Sequence, residues 1–447
     1  MNWYKKTVIL VLLSGSLSAY AQKEYSLAEC IDYSLSHHAS VDISKNNVQI
    51  AKEGQHQAYS LYLPQASGTF NMTDNLQLQT TVVPAGILSP KEVELKFGKQ
   101  YNNVVNIDLS QTIYDQAKIN NIKTGRLNVE VAKIQNKQND ESIIYNTSQA
   151  YFQVLIYKEY ESTLTTNIIS YKKLYQILEL QYKKGVALEI DLDRIKVSLK
   201  SAEYQLNETA TQHRNALSNL KFRMGLPLDS TLHINDSNDF SSYASLPQIV
   251  VFDFNRLTDY SLNKLNVDLQ KINMQTKKAA FLPAVNSFAR FGNQSYDEAF
   301  SNSFSNWKDY SYIGVSVNIP IFSGMRRSSQ VKESKLTYKN ATENLELAES
   351  SCKLRFDNAE KSLLTAYNSY MSNKDNLDLA QKIYDKTNLS YQKGAASMSD
   401  FLSDDTALKN AQTNYMNSLF SYMLAKLDYE KSKGTLSIFY NQLKTTK

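Results

Sequence analysis

The chain has 447 residues, with 49 lysines and arginines against 44 aspartates and glutamates, a formal charge of +5. So small an excess argues against nucleic acid or acidic lipid as the organising partner. Only 13 glycines, 7 prolines and 2 cysteines exclude a loop-rich or disulfide-framed fold and fit long uninterrupted helices, while 30 tyrosines fit rings at membrane interfaces or between packed helices.

At the start, Lys5 and Lys6 precede the apolar run Val8 to Leu13 and the small-x-small site Ala19-Tyr20-Ala21. This pattern predicts a secretory signal over residues 1–21, with Gln22 as the first mature residue. Its loss lowers the formal charge to +3. No later segment approaches eighteen unbroken apolar residues, so no transmembrane helix is expected. Transmembrane β-strands leave a much weaker trace, and hydropathy does not exclude them.

A first unit, residues 22–225, opens with a helical pattern from Ser26 to Leu63, where Leu27, Ile31, Leu35, Val41 and Val48 share a face. Leu63-Pro64 ends it. From 67 to 78, Gly68, Phe70, Met72, Leu76 and Leu78 alternate with polar residues, which predicts a strand with one apolar face. Asp74 interrupts that face. Residues 80–100, with Pro84, Gly86, Pro90 and Gly98, read as a long loop, and 101–113 as a second alternating strand. From 116 to 182 the helical period runs without proline, a length of roughly 100 Å at the helical rise. A tip over 183–190 and a returning helix to Met224 follow, stopped by Gly225-Leu226-Pro227.

Residues 226–254, rich in Ser, Asp and Asn, link this unit to a second, 255–434, which repeats the order; 435–447 remain as a C-terminal tail. The second unit has a helix to Leu282-Pro283, strands at 285–296 and 311–321, a helix over 325–391, a tip over 392–399 and a return to Gly434. Tyr182 and Tyr391, Lys184 and Lys393, Gly185 and Gly394, and Asp191 and Asp400 are each 209 residues apart, as are Gly225 and Gly434. Each tip carries a lysine facing the helix C-terminal dipole and a glycine able to turn left-handed just beyond. Ser397 or Ser399 can cap the next helix, and Asp191 and Asp400 fall where a first turn favours an anion.

The fold expected is mainly α with a small transmembrane β part. Tandem-duplicated long α-hairpins would continue from the strands as a tube, and four strands per chain cannot close a barrel alone. Several copies must therefore pool strands, with the polar parity toward the lumen.

The ordered set in duplicate resembles the TolC-type outer membrane efflux proteins over nearly the whole mature chain. It comprises the signal peptide, the helix–strand–loop–strand–helix order, Leu-Pro before each first strand, Pro320-Ile-Phe-Ser-Gly324 after the last, and the Tyr-x-Lys-Gly tips. The resemblance implies a homotrimer with a shared 12-stranded outer-membrane barrel, a helical tunnel narrowing at the tips, and dependence on a periplasmic adaptor and an inner-membrane pump of RND or ABC type. It places Asp400 at the gate constriction, where three copies would form a ring favouring cations. The family's second ring aspartate falls at Ser403, with Asp404 and Asp405 just beyond, and its locking arginine falls at Ala396. Tyr391 and Asp191 match two other lock positions, so the resemblance leaves room for a Tyr–Asp hydrogen bond and a looser closed state. It also implies adaptor docking at Gly185, Val186, Gly394 and Ala395. In the plainer reading these aspartates, glycines and tyrosines only shape helix ends and packing.

His37, His38, His56, His213 and His233 form no zinc-like spacing, and no nucleophile elbow or phosphate loop occurs. No catalytic, cofactor or metal site is expected. Cys30 and Cys352 read as packing residues. The competing function is an exported, outer-membrane-anchored coiled-coil tether or adhesin without a lumen, which would not need matched halves; a soluble exported helical scaffold fits the alternating strands less well.

Overall fold

A computed structural model describes residues 24–235 and 251–445. The expected signal segment and the middle of the inter-repeat linker lie outside the described residues. Long helices carry a four-stranded sheet at one end and two hairpin tips at the other, with the largest apolar core at the waist between them.

The sheet is antiparallel with order β2 (Gln65–Asp74), β5 (Tyr101–Tyr114), β7 (Ala284–Asp297), β8 (Lys308–Asn318). Register pairs Phe70 with Val105, Ile107 with Phe291, and Ala289 with Ile313, so one face is continuously apolar. The opposite face carries Asn106, Asp108, Arg290, Tyr310 and Tyr312. β2 stops at Asp74, short of the expected 78, which leaves Leu76 out in solvent. β8 runs from 308 to 318, not 311 to 321, because Pro320 has no N–H to continue a ladder. The expected loop 80–100 holds a small hairpin of its own, β3 (Thr80–Val83) and β4 (Val93–Lys96).

Pro64 and Pro283 each break the chain between a helix, α2 (Ala39–Ser60) or α5 (Thr258–Ala279), and its strand. Asp115 starts α3 (Gln116–Lys183), its carboxylate accepting from the Ala117 and Lys118 amides at 2.8 and 3.3 Å. This helix of 68 residues runs to the first tip and returns as α4 (Glu189–Met224). In the second half α6 (Arg326–Gln392) and α7 (Met398–Ser432) do the same.

Heptad spacing explains the pairing. Phe356, Leu363 and Tyr370 of α6 recur every seven residues and close on Leu419, Tyr422 and Tyr429 of α7. Tyr370 and Tyr422 stack at 5.8 Å, so much of the tyrosine content here serves packing. Each such fully buried side chain contributes about 2 kcal/mol.

The initial helix breaks in two at His38, giving α1 (Leu27–His37) and α2. At the break His38 Nδ1 caps α2, accepting from the Ser40 amide at 3.3 Å, and Gly225, at the far end of α4, comes so near that a Cβ there would sit 3.0 Å from the His37 carbonyl oxygen. The stretch expected as a tail forms α8 (Leu436–Thr445), which buries Leu436, Phe439 and Tyr440 at the waist and sets Lys444 Nζ 2.7 Å from Asp32. β1 (Glu24–Tyr25) pairs in parallel with β6 (His233–Ile234), tying the chain start to the linker. Cys30 and Cys352 are free thiols, both buried.

Candidate functional site

The two tips are built alike. The Gly185 amide bonds to the Tyr182 carbonyl at 2.9 Å and the Val186 amide reaches back to Gln181 at 2.9 Å; Gly394 and Ala395 make the same bonds to Tyr391 and Ser390 at 2.9 and 2.8 Å. Both glycines have φ of 75°, which an L side chain rarely adopts. These are Schellman ends, and Gly225 and Gly434 repeat the bond pattern at the waist. Gly185, Val186, Gly394 and Ala395 all lie exposed at the extremity of the molecule.

The tips differ where the next helix starts. Ser397 caps α7: its hydroxyl accepts from the Asp400 amide at 3.1 Å, while the Asp400 carboxylate accepts from the Ser397 amide and hydroxyl at 3.1 and 2.7 Å. Those bonds hold the exposed Asp400 carboxyl below its usual pKa. α4 begins at Leu188 with no side-chain cap; there Asp191 takes Arg194 as partner at 3.4 Å.

Beneath the tips one apolar cluster joins all four helices. Leu174 and Leu178 of α3 and Ile195 of α4 meet Met398 and Phe401 of α7, with Tyr384 and Tyr391 of α6 against them. Tyr391 stacks on Phe401 at 5.6 Å. Burial, and then the negative charge of Asp191, push its phenol up to about 12. Asp191 and Tyr391, from different hairpins, therefore share one site, although the hydrogen bond from a charged donor to Asp191 comes from Arg194. Asp404 accepts from the Thr387 hydroxyl at 2.6 Å and so faces its own hairpin partner; Ser403 is exposed.

The sequence places Asp405 only just beyond the ring position; in the fold it is 4% exposed and bonded to Tyr171 of α3. The signal existed: Asp405 falls four residues after Phe401 and three before Leu408, inside the apolar stripe of α7. Among the described residues no group of histidines, cysteines and carboxylates could hold a metal ion. No described helix is long and apolar enough to cross a membrane.

A family model for outer membrane efflux proteins matches residues 263–426. The outer membrane efflux protein BepC of Brucella suis is 23% identical over 387 residues, covering 84% of this chain and 78% of that protein. The outer membrane protein TolC of Escherichia coli is 22% identical over 344 residues, covering 74% of this chain and 69% of TolC. The solved CmeC outer membrane channel of Campylobacter jejuni superposes with a TM-score of 0.75 at 18% identity, covering 93% of this chain and 88% of that one. Duplicated hairpins, a one-faced apolar sheet and these similarities carry one conclusion: the chain belongs to the outer membrane efflux protein family, as a TolC-type channel of the outer membrane.

Proposed function

We propose that three copies of this chain pool their sheets into one 12-stranded barrel and form the exit duct of a tripartite efflux or secretion assembly. The carrying observation is the state of the sheet in a single chain. Its apolar face is open, with Ile313 85% exposed, and β2 and β8 each present an unpaired edge. Lipid tolerates neither open edges nor a four-stranded barrel, and the pairing of β2 with the β8 of a neighbour removes both edges at once.

The helices support the same assembly. Within one chain α4 packs along α3, α6 along α7, and α3 against α7, so α4 and α6 flank the group. The free side of α4 exposes Ile190, Val197 and Tyr204 at seven-residue spacing, and α6 exposes Leu354, Leu379 and Leu389. Such stripes suit α6 of one copy lying against α4 of the next.

In this assembly Asp400 supplies a ring of negative charge at the tip, with Ser403 and Asp404 on the wall behind it, and Tyr391 with Asp191 ties the two hairpins. Gly185, Val186, Gly394 and Ala395 present the docking surface for a periplasmic adaptor, which couples the duct to an inner-membrane pump of RND or ABC type. The duct is passive: charge and aperture select, and the pump supplies the drive.

The test is mass determination in detergent together with planar-bilayer recording on the purified protein. Trimers giving discrete, cation-preferring steps are expected. Monomers that never give a step would instead identify a tether.

A further inference from the structure

Where the two hairpins meet, α7 buries a carboxylate. Both oxygens of Asp405 lie 2.6 Å from the Tyr171 hydroxyl, and Lys409 Nζ lies 2.9 Å from Oδ2. The same ammonium sits 4.6 Å from the Tyr171 ring centroid, so the three side chains interlock. Tyr171 is 1% exposed. Burial first, and then Asp405, drive its phenol well above its usual pKa, so it donates and does not ionise.

A leucine at 405 would fill the stripe without the expense of desolvating a charge. What the carboxylate adds is direction: its bond to Tyr171 forms only where α7 and α3 lie in this register. The bond joins residues 234 apart and connects the first hairpin to the second. Farther up the same seam, Asn167 donates to Gln412 at 3.2 Å and the Tyr160 hydroxyl to Asn417 at 3.1 Å, in contacts more open to solvent. Nearer the tip, Arg194 is engaged by Asp191 of its own helix. Asp405 stands five residues along α7 from Asp400, roughly 8 Å at the helical rise.

We infer that Tyr171, Asp405 and Lys409 form the clasp that holds the second hairpin against the first and so sets the resting aperture at the Asp400 ring. The inference rests on the channel reading above. Breaking the clasp frees the α6–α7 hairpin to swing from the α3–α4 hairpin, while the heptad packing inside each hairpin persists. A hydrogen bond to a charged group shifts a two-state ratio by roughly ten- to a hundredfold.

The experiment compares the full assembled protein with Tyr171→Phe, Asp405→Asn and the double variant, in planar bilayers and by thermal melting. A second measurement reads the spread of distances between spin labels at Lys184→Cys and Lys393→Cys, one on each tip; the native thiols are buried. Tyr171→Phe and Asp405→Asn are each expected to raise the open fraction at least about tenfold and to widen the label distances. Tyr171→Phe removes the bond and Asp405→Asn removes its charge, so the double variant is expected to add less than the sum of the two. Variants that melt earlier but conduct and space their tips as the parent does would overturn the clasp and leave a plain packing contact. Label distances that widen in a protein whose parent form never conducts would keep the clasp and sink the channel reading.

Discussion

Arg290 of β7 stands directly opposite Asp108 of β5, its Nη2 donating to Oδ2 at 3.1 Å beneath the Tyr312 ring. Both side chains remain about one-third exposed on the polar sheet face. At that exposure the pair adds little to stability, but three copies would set six charges around the barrel lumen. Arg290→Gln is expected to leave an uncompensated carboxylate and increase cation preference; Asp108→Asn is expected to reverse the shift toward anions. Reversal potentials in asymmetric salt check this. Equal shifts of the same sign in both variants would place the pair outside the conduction path.

At the other end, the charge of Asp400 is expected to outlast that of an ordinary surface carboxylate as pH falls. Its folded pKa is depressed by the Ser397 hydroxyl and amide. A depressed carboxyl contributes stability that is complete above the unfolded value of about 3.9 and is lost as pH drops through the lower folded value. Cation selectivity should therefore persist as pH falls and decline only once the ordinary carboxylate range is reached. Ser397→Ala removes the cap, at about 1 kcal/mol, and should move the decline to higher pH. A decline that Ser397→Ala leaves unmoved would assign the selectivity to another group.

Four glycines share one backbone conformation but not one environment, and the difference predicts unequal penalties. Gly394 has φ of 75° and open space within 4 Å of a Cβ, so Gly394→Ala bears only the left-handed strain, about 1 kcal/mol. Gly434 has φ of 69°, and a Cβ there would meet the Arg256 carbonyl oxygen at 2.7 Å. Gly434→Ala adds a backbone clash and is expected to lose about 3 kcal/mol. Thermal unfolding of the two variants side by side measures the gap.

What could be read from the sequence follows from how local each cause is. Gly185 and Gly394 announce the tips because a Schellman end is closed by residues within five of one another. The strands were legible through parity, which a single segment displays. The break at His38 was not, because histidine is an uncommon cap and Gly225, which packs against it, lies nearly two hundred residues away. The β3–β4 hairpin escaped because its four-residue strands lie among the prolines and glycines that correctly marked a turn. Asp400 was legible as a helix-start anion, and Ser397, one of two candidates, is the residue that caps. Asp405 is legible only as a position just beyond the ring, because its partner, Tyr171, belongs to the other repeat.

The assembly itself is exposed to a single charge. Val197 is 69% exposed in one chain and sits midway along the free stripe of α4, seven residues from both Ile190 and Tyr204. A glutamate there remains solvated in a monomer and leaves the α3–α4 packing, carried by Ile195 and Ala202 on the opposite side, untouched. In a trimer the same carboxylate is desolvated against the neighbour's α6, at a cost of several kcal/mol per interface. Val197→Glu should therefore shift the mass in detergent from trimer toward monomer while helical content stays constant. A Val197→Glu protein that remains fully trimeric would mean that neighbouring copies meet along a different face.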